Sequence, residues 1–338
     1  MPAPTRSLLI LILVLTCACA PDRTSPTAPA NGPARGTLAW SSPATWPGGA
    51  VPGAGGTALI PAGTTVLLDV SPPELSLLHV DGTLVFGERD LTLTARRIEV
   101  VGTLRVGSEA QPFQHRATIV LSGTPADGAP TDPGVKGLVV MGGVLELHGM
   151  PRVAWTHLAA TAGKGTGQIQ LADPVDWQAG DRIAIASTDF DPGQSEDVVL
   201  KSASGTSLTL EQPLRSSHWG MLQSYAGRTL DERAEVGLLT RNVVVRGDSA
   251  GSAGGFGGHL MILQGSTAHI EGVEFYQMGQ KSKLARYPVH WHMAGDESGN
   301  YARSNSIWRS FNRCLTVHGT DGVLVRDNVC YDDIGHGY

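Results

Sequence analysis

The sequence predicts an all-β fold: a Gly-rich β-solenoid followed by a right-handed parallel β-helix. Three observations carry this. Glycine supplies 43 of 338 residues, about 13% against an ordinary ~7%. Short strand patterns recur at near-constant spacing, and no helix longer than two turns is convincing after the first twenty residues. Charged residues are only 17% and aromatics 6%, as expected where turns and Val, Ile, Leu and Thr dominate. A hydrophobic fraction of 41% with a net charge of -6 is that of a folded chain, not a disordered one. No basic tail exists, which argues against a nucleic-acid partner, and no apolar run reaches the ~18 residues of a membrane-spanning helix.

Residues 1–19 read as a signal peptide. Arg6 precedes the apolar run Leu8 to Leu15, then Cys17, Ala18, Cys19, Ala20 and Pro21 follow. Cleavage after Ala20 would leave Pro21 next, a poor residue there. A bacterial lipoprotein with Cys19 as the lipid-accepting residue fits better, and makes the membrane a partner only through that anchor. Residues 20–36, rich in Pro and small polar residues, read as a tether.

Residues 37–164 carry the first repeat. Val80 to Val85, Val100 to Arg105, Thr118 to Gly123 and Val140 to Leu147 each pair a turn glycine with alternating apolar residues. Gly82, Gly102, Gly123 and Gly142 stand 20, 21 and 19 residues apart. A constant step of this size marks a solenoid; the alternative is a sandwich of regular hairpins. Residues 165–232 form a β-rich connecting module of alternating strands. Residues 233–338 carry a second series, in which Ile307 and Val329 are 22 apart. The chain ends at Tyr338 in mid-rung, and is read as an incomplete coil.

Cys314 and Cys330 show no metal-site spacing and are read as two buried thiols. Six of the eleven histidines fall in the last 80 residues. His290 and His292 have strand parity, so both point to one face. His318 joins them if its strand stacks on theirs, and Asp296 closes the same turn. Such a group suits general acid–base work or metal binding. Between 281 and 326, seven basic residues, Arg286, Arg303, Arg309 and Arg313 among them, face three acids. A basic strip on an elongated scaffold suits an anionic polymer. Glycoside hydrolysis needs two carboxylates; Asp296 is the first candidate, with Asp321, Asp327, Asp332 and Asp333 competing for the second role. A lyase would need His292 as base and Arg286 or Ca²⁺ to neutralise a uronate. For Ca²⁺, the loop of Asp189 and Asp191 with Glu196 and Asp197 offers oxygens; Asp332 and Asp333 offer fewer. No phosphate-binding loop, dinucleotide fingerprint or nucleophile elbow is present.

Three blocks add a resemblance: Trp177 to Asp189, Arg233 to Asn242, and Arg286 to Asp296 followed by Cys314 to Gly319. With the Gly-rich rungs of about 40–160, which look like a G8 domain, they resemble the cell-migration-inducing, hyaluronan-binding and hyaluronan-depolymerising proteins, their transmembrane relative and the fibrocystin-like receptors. The resemblance implies an extracellular or cell-surface location, a G8 domain before parallel β-helix repeats, and in some members calcium-dependent hyaluronan cleavage. Other members, such as the fibrocystin-like ones, are not known as enzymes. This chain lacks the extra domain that the animal hyaluronan-active proteins carry before the Trp177 block. The resulting expectation is an exported glycosidase of hyaluronidase type acting on an anionic glycan. The alternatives are a non-catalytic glycan-binding or adhesive surface protein and a purely structural one.

Overall fold

The structure, a computed structural model, describes residues 36–127 and 134–337. The signal segment, Cys19 and the tether up to Arg35 lie outside the described residues.

The chain winds into one parallel β-helix with three faces. On the first face Thr57–Ile60, Leu77–Val80, Arg97–Val100, Gly137–Val140, His259–Ile262, Val289–Asp296 and Leu315–Asp321 stack in that order. The second face runs from Leu38–Ala39 to Leu324–Arg326, the third from Leu91–Ala95 to Val329–Tyr331. All neighbours on these faces are parallel, as in Leu78↔Ile98 and Leu138↔Leu260.

Alternation explains the winding. In Thr83–Phe86 and Thr103–Val106 every second side chain is buried. The inward residues form columns along the coil axis; one runs Ala58, Leu78, Ile98, Leu138, Leu260, Val289 and Leu315. Each is at most 1% exposed, and a fully buried Leu or Val contributes about 1.5–3 kcal/mol.

The expected G8 solenoid and the parallel β-helix that follows it are both present, and they share one continuous core. One core cluster contains Leu84, Leu145, Leu260 and Leu315 alike. What interrupts the coil is an insertion within its fourth turn. The chain leaves the second face after His148, builds an antiparallel sheet from Trp155–His157 to Glu235–Leu238, and returns on the third face at Val243–Gly247. This insertion exceeds the expected 165–232 at both ends and has its own core around Trp177, Ile183, Leu200 and Val236. Asp197 fastens it to the coil through Arg309 at 3.4 Å and the Tyr331 hydroxyl at 3.2 Å.

Two spacings are corrected. The glycine column is Gly82, Gly102 and Gly143: a Cβ on Gly102 would collide with the Gly82 carbonyl, and one on Gly143 would meet the Gly102 carbonyl at 2.6 Å. Gly123 belongs to the third face, so the 20-21-19 series mixed two faces. The later rung pairs Ser306 with Val329 and Ile307 with Cys330, a step of 23. The slip of one matters because it reverses every side chain.

The disulfide is a further correction. Cys314 and Cys330 are bonded, Sγ–Sγ 2.02 Å, rather than separate thiols. The true register explains it: Cys330 continues the inward column of Ile307 and meets buried Cys314 inside the coil.

Candidate functional site

The candidate site lies on the outside of the first face, on the strands Val289–Asp296 and Leu315–Asp321. Val289 and Trp291 point inward and are buried, so His290 and His292 point outward together. Parallel pairing sets His292 opposite His318. One ring nitrogen from each of His290, His292 and His318 lies within 4.8 Å of the others. The His292 and His318 Nδ1 atoms are 3.4 Å apart. Ring centroids are 4.8 Å apart for His290 and His292, and 5.4 Å for His292 and His318.

The three environments differ. His290 is 1% exposed although it points outward, because Tyr287 lies 4.7 Å from its ring and the Arg313 guanidinium lies 4.6 Å from the Tyr287 ring. Its Nδ1 faces the Ala285 carbonyl at 3.3 Å, while Nε2 is buried without a partner. Burial pushes its pKa down to about 4. The His292 value is also lowered, first by desolvation, then by the positive charges of His318 and Arg286. Both are thus neutral bases near pH 7. His318 is exposed.

The strand is irregular just beyond the histidines. Register shifts between His292 and Gly295, with Met293 at φ 50° and Gly295 at φ 77°. Bulges of this kind re-aim side chains. Here the bulge turns Asp296 away: its carboxylate accepts from the Ser298 N–H at 3.0 Å and hydroxyl at 2.6 Å. Among the described residues no hydrogen bond or ion pair joins Asp296 to the histidines, so the structure does not bring the expected carboxylate into the group.

The arginines separate as well. Arg286 and Arg313 border the histidines. Arg303 is on the second face, where it pairs with Glu109 at 2.6 Å and Glu271 at 2.8 Å and lies over Tyr301. Arg309 follows the third-face strand and holds Asp197. The expected basic strip is therefore divided among three faces, because residues close in sequence go round the coil.

The acidic loop does not assemble as expected either. Asp189 Oδ1 accepts from the Phe190 N–H, and Asp191 caps a short turn at Gly193. Glu196 is buried against His218 at 3.0 Å and the Arg215 and Ser216 N–H groups. Asp197 neutralises Arg182 and Arg309. These acids serve the insertion, and the loop does not present the six or more oxygens that Ca²⁺ needs. Three imidazoles do not suit Ca²⁺ either.

Two features escaped the sequence reading. Lys136 is fully buried and reaches Asp248 Oδ1 at 2.6 Å and the Phe256 carbonyl at 2.9 Å. On the second face His148 Nε2 is 2.9 Å from the Tyr301 hydroxyl, and His269 stacks on Tyr301 and pairs with Glu146 at 2.9 Å. Neither had a sequence signal, since Lys136 and Asp248 are 112 residues apart and His148 and Tyr301 153 apart.

This arrangement defines a class of protein: a parallel β-helix with an inserted antiparallel module and a histidine group on its outer face. Residues 45–159 match the model of the G8 domain, and residues 255–338 that of the CEMIP beta-helix. The chain belongs to the family that joins these two units. It is 37% identical over 348 residues to human Fibrocystin-L, covering 89% of this chain and 8% of that protein. A G8 domain-containing protein of Dictyostelium discoideum is 32% identical over 316 residues, covering 88% of this chain and 27% of that one. The chain thus spans a small part of these relatives. A solved tailspike, Gp54 of Acinetobacter baumannii bacteriophage AP22, in complex with a capsular saccharide, is 13% identical with a TM-score of 0.25, over 76% of this chain and 41% of that one.

Proposed function

We propose that this chain is an exported or surface protein that binds and depolymerises an anionic polysaccharide of the hyaluronan type, at the face carrying His290, His292 and His318. The observation behind this reading is the convergence of three imidazoles beside Arg286, on the outside of an elongated coil. A polymer can lie along such a surface, and a guanidinium suits its carboxylates. Neutral His292 is placed to accept a proton, and exposed His318 to donate or relay one. With Asp296 turned away, these histidines and not a carboxylate pair would carry proton transfer, which favours removal of a sugar proton over hydrolysis by paired acids. Hydrolysis stays the expectation from family resemblance, and the products separate the two: a lyase leaves an unsaturated, ultraviolet-absorbing end. The test is the chain-length shift of hyaluronan with the purified chain. Loss of cleavage in His292→Ala, with unchanged circular dichroism, is the expected result. Full activity in that variant would remove the site from consideration.

A second reading, glycan binding without cleavage, is favoured by the absence, among the described residues, of a carboxylate bonded to the histidine group. Retention of hyaluronan without shortening, lost in Arg286→Ala, would establish it.

A further inference from the structure

We propose that His290, His292 and His318 form a binding site for a borderline transition-metal dication of the Zn²⁺ type. The site uses the same three histidines as the polysaccharide reading, and an ion held there would take the place of the free imidazoles in proton transfer; its test does not use a glycan.

Distance is the first argument. Two ligands at about 2.0–2.1 Å from a tetrahedral centre stand about 3.3–3.4 Å apart. The His292 and His318 Nδ1 atoms are separated by 3.4 Å. A hydrogen bond between two nitrogens would be expected nearer ~3.0 Å. The pair is spaced as ligands sharing an ion are.

His290 supplies the second, independent argument. It is 1% exposed, and its Nε2 has no hydrogen-bond partner. A buried polar atom without a partner costs about 1–3 kcal/mol. The opposite nitrogen faces the Ala285 carbonyl at 3.3 Å, which fixes the proton on Nδ1 and leaves the Nε2 lone pair available. Metal-bound histidines commonly have this arrangement, the second ring N–H donating to a backbone carbonyl. Ala285 adopts φ 63° to present that carbonyl, a conformation an alanine does not take without cost.

The backbone gives a third. The bulge after His292 and the left-handed Gly319 after His318, φ 56°, bend both strands directly beyond the ligand positions. The regular alternation that precedes them sets the ring spacing, and the bend takes Asp296 out of reach. The donor set is then all imidazole, which suits Zn²⁺, Cu²⁺ or Ni²⁺ and not Ca²⁺ or Mg²⁺. Three protein ligands with His318 exposed leave a coordination position for water or an incoming oxygen ligand.

The experiment uses the untagged chain stripped with a chelator, and the metal alone. Calorimetric titration with Zn²⁺ is expected to show one site per chain. Replacement by Co²⁺ is expected to give the intense visible bands of tetrahedral coordination. His292→Ala and His318→Ala are expected to weaken Zn²⁺ at least 100-fold and to abolish the Co²⁺ bands. His115→Ala, an exposed histidine elsewhere on the coil, should leave both unchanged. Circular dichroism confirms folding; His290 is left intact because it is buried. No Zn²⁺ binding by the folded chain, equal binding in all variants, or displacement of Zn²⁺ by equimolar Ca²⁺ would overturn the proposal.

Discussion

The disulfide between Cys314 and Cys330 should decide whether the final turn of the coil stays closed. The bond spans 16 residues. That span includes the first-face strand Leu315–Asp321 and the second-face strand Leu324–Arg326. In the loop-closure account, a loop of this length removes about 10 cal/mol/K from the opened state, or about 3 kcal/mol at 25 °C. At 1.4 kcal/mol per tenfold, that is about a hundredfold in the opening equilibrium. A solenoid turn contacts only its neighbours, so the effect should be local. Amide hydrogen exchange measures it directly. The informative amides are Leu315, bonded to the Gly337 carbonyl, Leu324, bonded to that of Asn300, and Val329, bonded to that of Asn305. In the double variant Cys314→Ala/Cys330→Ala these should exchange about 100 times faster. Amides of Arg97–Val100, four strands away on the first face, should be unchanged. Exchange of the final turn within twofold of the parent would refute the reasoning. So would uniform acceleration along the coil, which would mean that the turns open together.

Two further predictions follow from buried charge. Lys136→Met removes the ammonium from Asp248 Oδ1 and from the Phe256 carbonyl; Asp248 keeps the Gly123 and Ala250 N–H groups and is 25% exposed, so the expected cost is about 1–3 kcal/mol, and a loss under 1 kcal/mol in urea unfolding would contradict this. Burial raises the Asp333 pKa from 3.8 to about 7, so the folded state holds a proton that the unfolded state releases. Stability should then fall as pH rises from about 4 to about 7 and stay level above, by at most about 4 kcal/mol at 1.36 kcal/mol per unit. Asp333→Asn should remove that slope, and an unaltered profile in the variant would show that another group carries it.

Side-chain alternation and turn glycines made the coil legible. Gly82 and Gly102 stand 20 apart in sequence and one above the other in space, because those turns carry no insertion. The same reasoning failed where spacing changed silently. Between Val140 and Ile262, which also stack through the pairing of their strands, lie the antiparallel insertion and the loop held by Lys136. A fixed period cannot cross such a gap, so the continuity of the core from the G8 solenoid into the β-helix was not legible. The disulfide is hidden for a related reason: the sequence places both cysteines in the interior, but only the step of 23 that sets Cys330 beside Ile307 brings it to Cys314. Parity alone placed His290 and His292 together, since two residues on one strand need no knowledge of register. His318 needed the neighbouring strand. The burial of His290 under Tyr287 and Arg313 needed the loop before the strand.

The same logic explains why the histidines gather and the arginines do not. In a parallel coil, outward residues of successive turns meet only if their register matches, and neighbouring strands stand about 4.8 Å apart. His292 and His318 match, and Trp291, 0% exposed between His290 and His292, holds that strand against rotation by filling the core behind it. Arg303 and Arg309 lie only six residues apart, yet the corner at Ser304, φ 55°, and the strand Ser306–Trp308 between them carry the chain onto another face. Each then meets acids from far along the chain, Glu109 for one and Asp197 for the other. A charge count along the sequence adds such residues together, whereas the coil distributes them around its axis. What survives as a site is the set whose spacing is a whole turn. For this chain that set is His292 and His318, with His290 two residues along the same strand.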